Sequence, residues 1–533
     1  MITDSASPTQ SEILVDRPVL LKVNRPADIT VHPQDKHLST EHLLGDLKGR
    51  AISGTAITIA AQGVQFVLTL ISTMVLARLL GPKDFGLYAM VTAVMGYLIV
   101  FKDAGLSTST IQREGITYAQ VSNLFWINVA LGGAITLVLA ALAPVVAWFY
   151  SEPRLVAVTL ALSITFLLNA LTVQHTALLR RQMRFKAVGL IQVGSMLCGV
   201  TVGIGMAVLG YGYWSLVAGN FVIVAMTVPL TWLAIPWRPM APSRRSGTGS
   251  LVSFGANVAT GGFIYSIAKG ADMILVGRFC GSSAVGLYSR AAALLSRPMD
   301  QFLSPVSAVF LPVLSRLQAD PERYRRTFLR VYEAMALVSF LCTGALFALA
   351  RPVTLVVLGP KWDQAAIIFA GFTAGACVVP VANAASWLFA SQGRGKEWLL
   401  NSSIVSAIIF ASFLAGLPFG PAGVAIVSSG VSLLVGMPTL YYFAGRRGPV
   451  RTSDLWMGML RYLPVWLIAC SASYGMRLLL VALAPLPQAF LSGTVGLLAG
   501  VAFIFSVPST RRTAVSLIDI AREMKSRISL SRA

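Results

Sequence analysis

Charge is scarce in this sequence. Only 12% of its 533 residues are charged and 56% are hydrophobic, whereas a soluble domain carries about 25% charged residues. That excludes an ordinary water-soluble fold. Acids are the scarcer sign, with 21 Asp and Glu against 42 Lys and Arg. The four histidines and five cysteines form no metal-ligand pattern and no CxxC pair. His32, His37 and His42 stand without cysteine or patterned carboxylates, and Cys198, Cys280, Cys342, Cys377 and Cys470 sit in or beside apolar runs as small packing residues. No G-x-x-x-x-G-K-[ST], H-E-x-x-H or G-x-S-x-G occurs, which leaves no direct ATP drive and no hydrolase signature. Nothing looks catalytic, and no cofactor is expected. The formal charge of +21 does not read as nucleic-acid binding, because the cations lie in short loops without interleaved aromatics.

Apolar runs are what the chain has in abundance. From about residue 54 to 507 they follow one another at bilayer-spanning length. They resolve into fourteen spans: 54–78, 85–107, 122–148, 155–179, 186–209, 213–235, 252–277, 285–314, 328–350, 364–391, 398–417, 421–444, 456–482 and 488–507. With the span-end bases Arg78, Lys186 and Arg330 counted to the loops beside them, the loops alternate in character, 24 Lys and Arg falling on one side and six on the other. Cytoplasmic loops carry the excess of base, so both termini are expected inside. Residues 1–50 begin without a basic region leading into an apolar core and read as a disordered cytoplasmic tail.

The chain also repeats itself. Arg78-Leu-Leu-Gly81-Pro-Lys-Asp-Phe-Gly86-Leu87-Tyr88 returns as Arg278-Phe-Cys-Gly281-Ser-Ser-Ala-Val-Gly286-Leu287-Tyr288, and Gln182-x-Arg184-x-Lys186 returns as Gln392-x-Arg394-x-Lys396. Spans 1 and 7 are therefore equivalent, six helices make one repeat, and an even number gives parallel repeats with the working cavity between them. The expected fold is all-α and integral to the membrane, with about fourteen transmembrane helices in two six-helix lobes plus two C-terminal helices. The N-lobe covers 51–236, a cytoplasmic linker 237–250, the C-lobe 251–445, the two extra spans 456–507 and a basic cytoplasmic tail 508–533. The Arg78 and Arg278 turns then lie on the outer face. Pairs such as Gly199/Gly203, Gly371/Gly375 and Gly496/Gly500 read as close helix packing.

Ionisable residues inside spans ask for a pairing or a cavity. Arg461, Arg477 and Glu333 lie near span ends, where snorkelling to the interface accounts for them. The rest form a pattern. Thr55, Thr58, Gln62, Gln65, Thr69 and Ser72 are spaced 3, 4, 3, 4, 3, a polar stripe along one face of span 1. Two hundred residues after the last three stand Tyr265, Lys269 and Asp272. In span 8, Arg290, Arg297 and Ser304 recur every seven residues, with Asp300 and Gln301 beside them. One reading is that Lys269–Asp272 and Arg297–Asp300 are self-neutralising pairs that stitch helices. The other is a wet cationic cavity between the lobes, lined by Arg297, Lys269, Arg290, Gln62, Gln65 and Tyr265 and fitted to an anionic substrate. Asp272, Asp300 and Asp103 are the candidates for pairing those cations or for coupling. No metal site is expected.

Several strings resemble a known family. Leu76-Ala-Arg78-Leu-Leu-Gly81-Pro-Lys-Asp84-Phe-Gly86, Phe101-Lys-Asp103-Ala-Gly105-Leu, Leu303-Ser-Pro305-Val, Pro312-Val-Leu-Ser315-Arg316 and Leu358-Gly-Pro360-Lys-Trp362 are similar to those of Wzx-type bacterial polysaccharide exporters, in the colanic-acid and succinoglycan branch of the multidrug/oligosaccharidyl-lipid/polysaccharide (MOP) superfamily. The likeness covers most of residues 50–450; Lys102 departs from it. It implies a V-shaped pair of lobes that works by alternating access in the bacterial inner membrane. The substrate class it implies is an undecaprenyl-pyrophosphate-linked oligosaccharide, for exopolysaccharide or lipopolysaccharide synthesis. Coupling would come from an H+ or Na+ gradient or from the membrane potential. Membrane lipids and a polysaccharide polymerase or export complex are the implied partners. The rival readings are a peptidoglycan lipid-precursor flippase and a multidrug or cation antiporter of the same superfamily. An antiporter would want unpaired carboxylates, and six bases outnumber four acids within the spans.

Overall fold

The computed structural model describes residues 47–99, 106–112, 115–243 and 249–516, and in the helix that opens the second half it describes side chains from residue 270, Phe302 excepted. The expected tails for the most part, Lys102 and Asp103 lie outside the described residues, as do the side chains of Tyr265 and Lys269. Among the described residues all regular structure is helix. In the first half come α1 (Leu47–Leu79), α2 (Pro82–Ile99), the short α3 (Leu106–Gln112), α4 (Tyr118–Tyr150), α5 (Leu155–Arg181), α6 (Phe185–Val208) and α7 (Trp214–Ala234). In the second come α8 (Gly249–Arg316), α9 (Pro321–Ala348), α10 (Ala350–Val357), α11 (Ala365–Ala376), α12 (Val379–Ser391), α13 (Gly395–Gly416), α14 (Gly420–Val431) and α15 (Met437–Gly445). The chain ends with α16 (Thr452–Leu460), α17 (Leu463–Leu479) and α18 (Pro485–Ser506).

This is a multi-pass membrane protein. Among the described residues nine helices are long and apolar enough to cross a bilayer, or ten with the pair α11 and α12, bent by 41°. Leu137, Leu233, Leu434 and Leu479 are 72% to 81% exposed, a surface that water would not tolerate and hydrocarbon does. Spans 7 and 8 form α8 as one helix interrupted at Gly281, whose φ of 84° is open to glycine at no steric cost. Span 12 is divided by a π-helical turn at Ser432–Gly436.

Local chemistry sets the ends. Asp84 in the first turn of α2 accepts from the Gly81 N–H at 3.1 Å, and Thr117 and Gln120 form a capping box on α4. The Gln-x-Arg-x-Lys turns are the same turn twice. Met183 and Gly393 are both left-handed, at φ 53° and 68°, and the Arg184 and Arg394 N–H groups each close back on a carbonyl five residues earlier at 2.9 Å.

The helices pack in two groups. In the first, α1 lies on α6, α6 on α7, and α5 on both α4 and α7; in the second, α11 lies on α8 and α14, α14 on α13, and α12 on α15. α17 lies on α9 and on α18. The glycine pairs sit at such contacts: a Cβ on Gly199 would stand 2.5 Å from the Gly219 carbonyl, and one on Gly496 would collide with Ser473. Between the groups, the extensive contact is α2 against α8. Arg461, Glu333 and Arg477 do not snorkel freely. Arg461 pairs with Glu333 at 3.1 Å, and Arg477 donates to the Ala348 carbonyl at 2.7 Å, capping α9.

Candidate functional site

The α2–α8 contact is built from the repeated turn, and it is reciprocal. A Cβ on Gly86 would stand 1.7 Å from the Ser282 carbonyl oxygen, and a Cβ on Gly286 would stand 1.8 Å from that of Pro82. Positions 82 and 86 thus meet 286 and 282, as a two-fold relation between copies demands. Each turn also reaches the other group's hairpin. Arg78 Nη2 donates to the Val356 carbonyl at 2.9 Å, Trp362 Nε1 donates to Ala77 at 2.8 Å, and the Trp362 ring meets Phe85 edge-on at 5.2 Å. Arg278 lies 5.9 Å over the Phe149 ring. The two groups are clasped at this end.

Deeper between the groups lies a cavity of about 310 Å³. Its polar lining is Gln65 and Thr69 from α1, Gln192 and Ser195 from α6, Thr227 from α7, and Arg297 and Gln301 from α8. Gln65 Nε2 donates to Gln192 Oε1 at 3.3 Å. At 1.5 Å per residue, Gln65 is about 21 Å from the α1 end of the clasp and Arg297 about 24 Å from Gly281, so the two helices bring them to one level. Arg297 and Asp300 are both exposed, and among the described residues they form no ion pair within 4 Å. No carboxylate among the described residues lines the cavity. A guanidinium among amides and hydroxyls, with no acid to neutralise it, suits an anion or a polyhydroxylated group.

The other expected residues are placed variously. Arg290 stacks 4.9 Å over Phe85, and its buried Nε has no hydrogen-bond partner among the described residues; it lies about 10 Å along α8 nearer the clasp than Arg297. Gln62 is half-buried on α1 and does not line the cavity. Asp272 turns elsewhere. Its Oδ2 accepts from the Tyr288 hydroxyl at 2.9 Å, and it lines a second cavity of about 550 Å³ inside the second group, with Asn401, Ser428 and Ser429. Gln192, Tyr288, Asn401 and Trp362 were not singled out by sequence. Gln192 had a signal: it is an amide inside an otherwise apolar run, facing the level of the Gln65 stripe.

Two helix groups clasped at one end over a polar cavity define a membrane transporter fold. Among solved structures, the Lipid II flippase MurJ in an inward closed conformation matches with a TM-score of 0.65 at 13% identity, over 85% of this chain and 99% of that one. An inward-facing multidrug resistance MATE family transporter of the MOP superfamily matches at 0.56 and 14%, over 73% and 98%. These likenesses are of fold. The chain belongs to the polysaccharide biosynthesis protein family, whose model matches residues 75–367. It is similar to the teichuronic acid biosynthesis protein TuaB of Bacillus subtilis, 27% identical over 61% of this chain and 66% of that one. It is also similar to the lipopolysaccharide biosynthesis protein WzxC of Escherichia coli, at 22% over 60% and 65%, and to the succinoglycan biosynthesis transport protein ExoT of Rhizobium meliloti, at 25% over 56% and 61%. The match spans just under two thirds of each of these relatives.

Proposed function

We propose that this protein moves undecaprenyl-pyrophosphate-linked oligosaccharide repeat units from the inner to the outer leaflet of a bacterial inner membrane, by alternating access, for exopolysaccharide or lipopolysaccharide synthesis. The observation that carries the reading is the cavity with Arg297 in it and, among the described residues, no carboxylate in its lining. A pyrophosphate bears fixed negative charge that a guanidinium meets in bidentate fashion, while Gln65, Gln192 and Gln301 offer amides to sugar hydroxyls. The apolar flanks leave the polyprenyl tail in the bilayer. Both termini lie in the cytoplasm in this reading, and the clasp is the outer gate. A polymerase or export complex would receive the product. The relatives' roles in polysaccharide biosynthesis and transport support the same substrate class. A drug or cation antiporter would want a carboxylate in the cavity, and the described lining offers a guanidinium and amides instead.

The test is Arg297→Ala in cells lacking the native copy, with surface polysaccharide and the lipid-linked intermediate both measured. The expected outcome is lost polysaccharide and an accumulated intermediate at wild-type protein level. Normal export would remove Arg297 from the path.

Coupling falls to Asp272 in the same reading, because its carboxylate faces a separate, largely apolar cavity, and among the described residues its side-chain hydrogen-bond partner is Tyr288. Asp272→Asn is expected to abolish the response of transport to an imposed H+ or Na+ gradient while leaving substrate binding intact. A gradient response equal to that of the unmodified chain would overturn it.

A further inference from the structure

The two copies of the Arg-x-x-Gly turn meet unequal surroundings. Arg78 is satisfied: Nη1 donates to Met74 and Nη2 to Val356, and the buried Trp362 fills the space beside it. Arg278 is not. Among the described residues its guanidinium has no hydrogen-bond acceptor, and it opens on a cavity of about 690 Å³ lined by Pro144, Trp148, Phe149, Pro153 and Val156. The hairpins explain the difference. Phe149, Pro153 and Arg154 correspond in order to Val356, Pro360 and Lys361, so Trp362 is answered by the smaller Leu155. Against Gly277, the counterpart of Ala77, stands the buried Tyr150 instead, which leaves the Arg278 guanidinium without the hairpin carbonyl that Arg78 meets.

The nearby acid is already engaged, since Glu152 pairs with Arg154 at 3.0 Å. Trp148 is 78% exposed and Phe279 67%, at a helix end where aromatic side chains mark the boundary between hydrocarbon and water. The pocket therefore joins an un-neutralised cation to an apolar floor at a membrane interface. We propose that it binds an anionic phospholipid, with the headgroup phosphate on Arg278 and the upper acyl carbons against Trp148 and Val156. A soluble anion would gain nothing from the apolar mouth. The site stands apart from the central cavity and does not depend on what that cavity carries.

The experiment uses the full chain in phosphatidylcholine vesicles containing phosphatidylglycerol brominated near the headgroup. Quenching of Trp148 is isolated as the difference between the unmodified chain and Trp148→Phe. Trp148 should be quenched several-fold more by brominated phosphatidylglycerol than by brominated phosphatidylcholine. The preference should vanish in Arg278→Gln and persist in Arg278→Lys, which keeps the cation. Val156→Trp leaves Arg278 in place and fills the pocket, and it should also abolish the preference. Native mass spectrometry of the same variants should show retained phosphatidylglycerol lost in step. Equal quenching by the two lipids, or a preference that survives in Arg278→Gln, would overturn the proposal. Loss of the preference on adding excess inorganic phosphate would also overturn it, by reassigning the pocket to a soluble anion.

Discussion

At the scale of single residues, the arginines divide by what surrounds them. Arg394 is 11% exposed; it donates to the Phe443, Ala444 and Arg447 carbonyls at the end of α15 and pairs with Glu397. Removing a buried partner of that kind costs about 3 kcal/mol, so Arg394→Met should lower the unfolding temperature of the purified protein clearly. Arg154 pairs with Glu152 while 43% exposed, and solvent screening limits such a pair to below about 1 kcal/mol. Arg154→Ala should hardly move the transition, and equal shifts for the two variants would contradict this ordering. Arg297 belongs to a third kind. Among the described residues it has no carboxylate partner, and it stands exposed in a cavity, so its truncation should be silent in stability and costly in transport.

At the scale of elements, the clasp between α2 and α8 rests on two glycines. Gly286→Ala places a methyl 1.8 Å from the Pro82 carbonyl, where backbone cannot yield. Overpacking of that order costs about 1–3 kcal/mol in the clasped state, and separating the helices relieves it. Spin labels at the exposed positions Lys83→Cys and Ser283→Cys, in a cysteine-free background, should report a longer distance in Gly286→Ala. An unchanged distribution would show that the clasp is not held there. The repeat itself was legible, because Arg78, Gly81, Gly86, Leu87 and Tyr88 recur two hundred residues on. That the two copies pack against each other was not, since the contact joins residues far apart in sequence and leaves no local pattern.

For the whole molecule, hydropathy and loop charge carried the helical membrane class because hydrocarbon requires long apolar helices. The cavity was legible in part. Gln65 and Arg297 were found because helical periodicity marks a face, and both faces turn inward to one level. Asp272 was grouped with them by the repeat, yet its side chain turns to Tyr288. Which side of α8 faces which cavity depends on α11 and α14, whose packing no spacing within α8 encodes. Trp362 was quoted only as part of a family string, and its burial against Ala77 and Phe85 follows from the clasp.

The central claim is that the cavity between the two helix groups is the substrate path. Its most direct test is translocation of a pyrophosphate-linked oligosaccharide lipid by the purified chain in vesicles, comparing the unmodified protein with Arg297→Ala and Arg297→Lys. The account predicts that Arg297→Ala stops translocation, that Arg297→Lys retains part of it, and that neither variant shifts the unfolding temperature. Translocation by Arg297→Ala at the unmodified rate would contradict it.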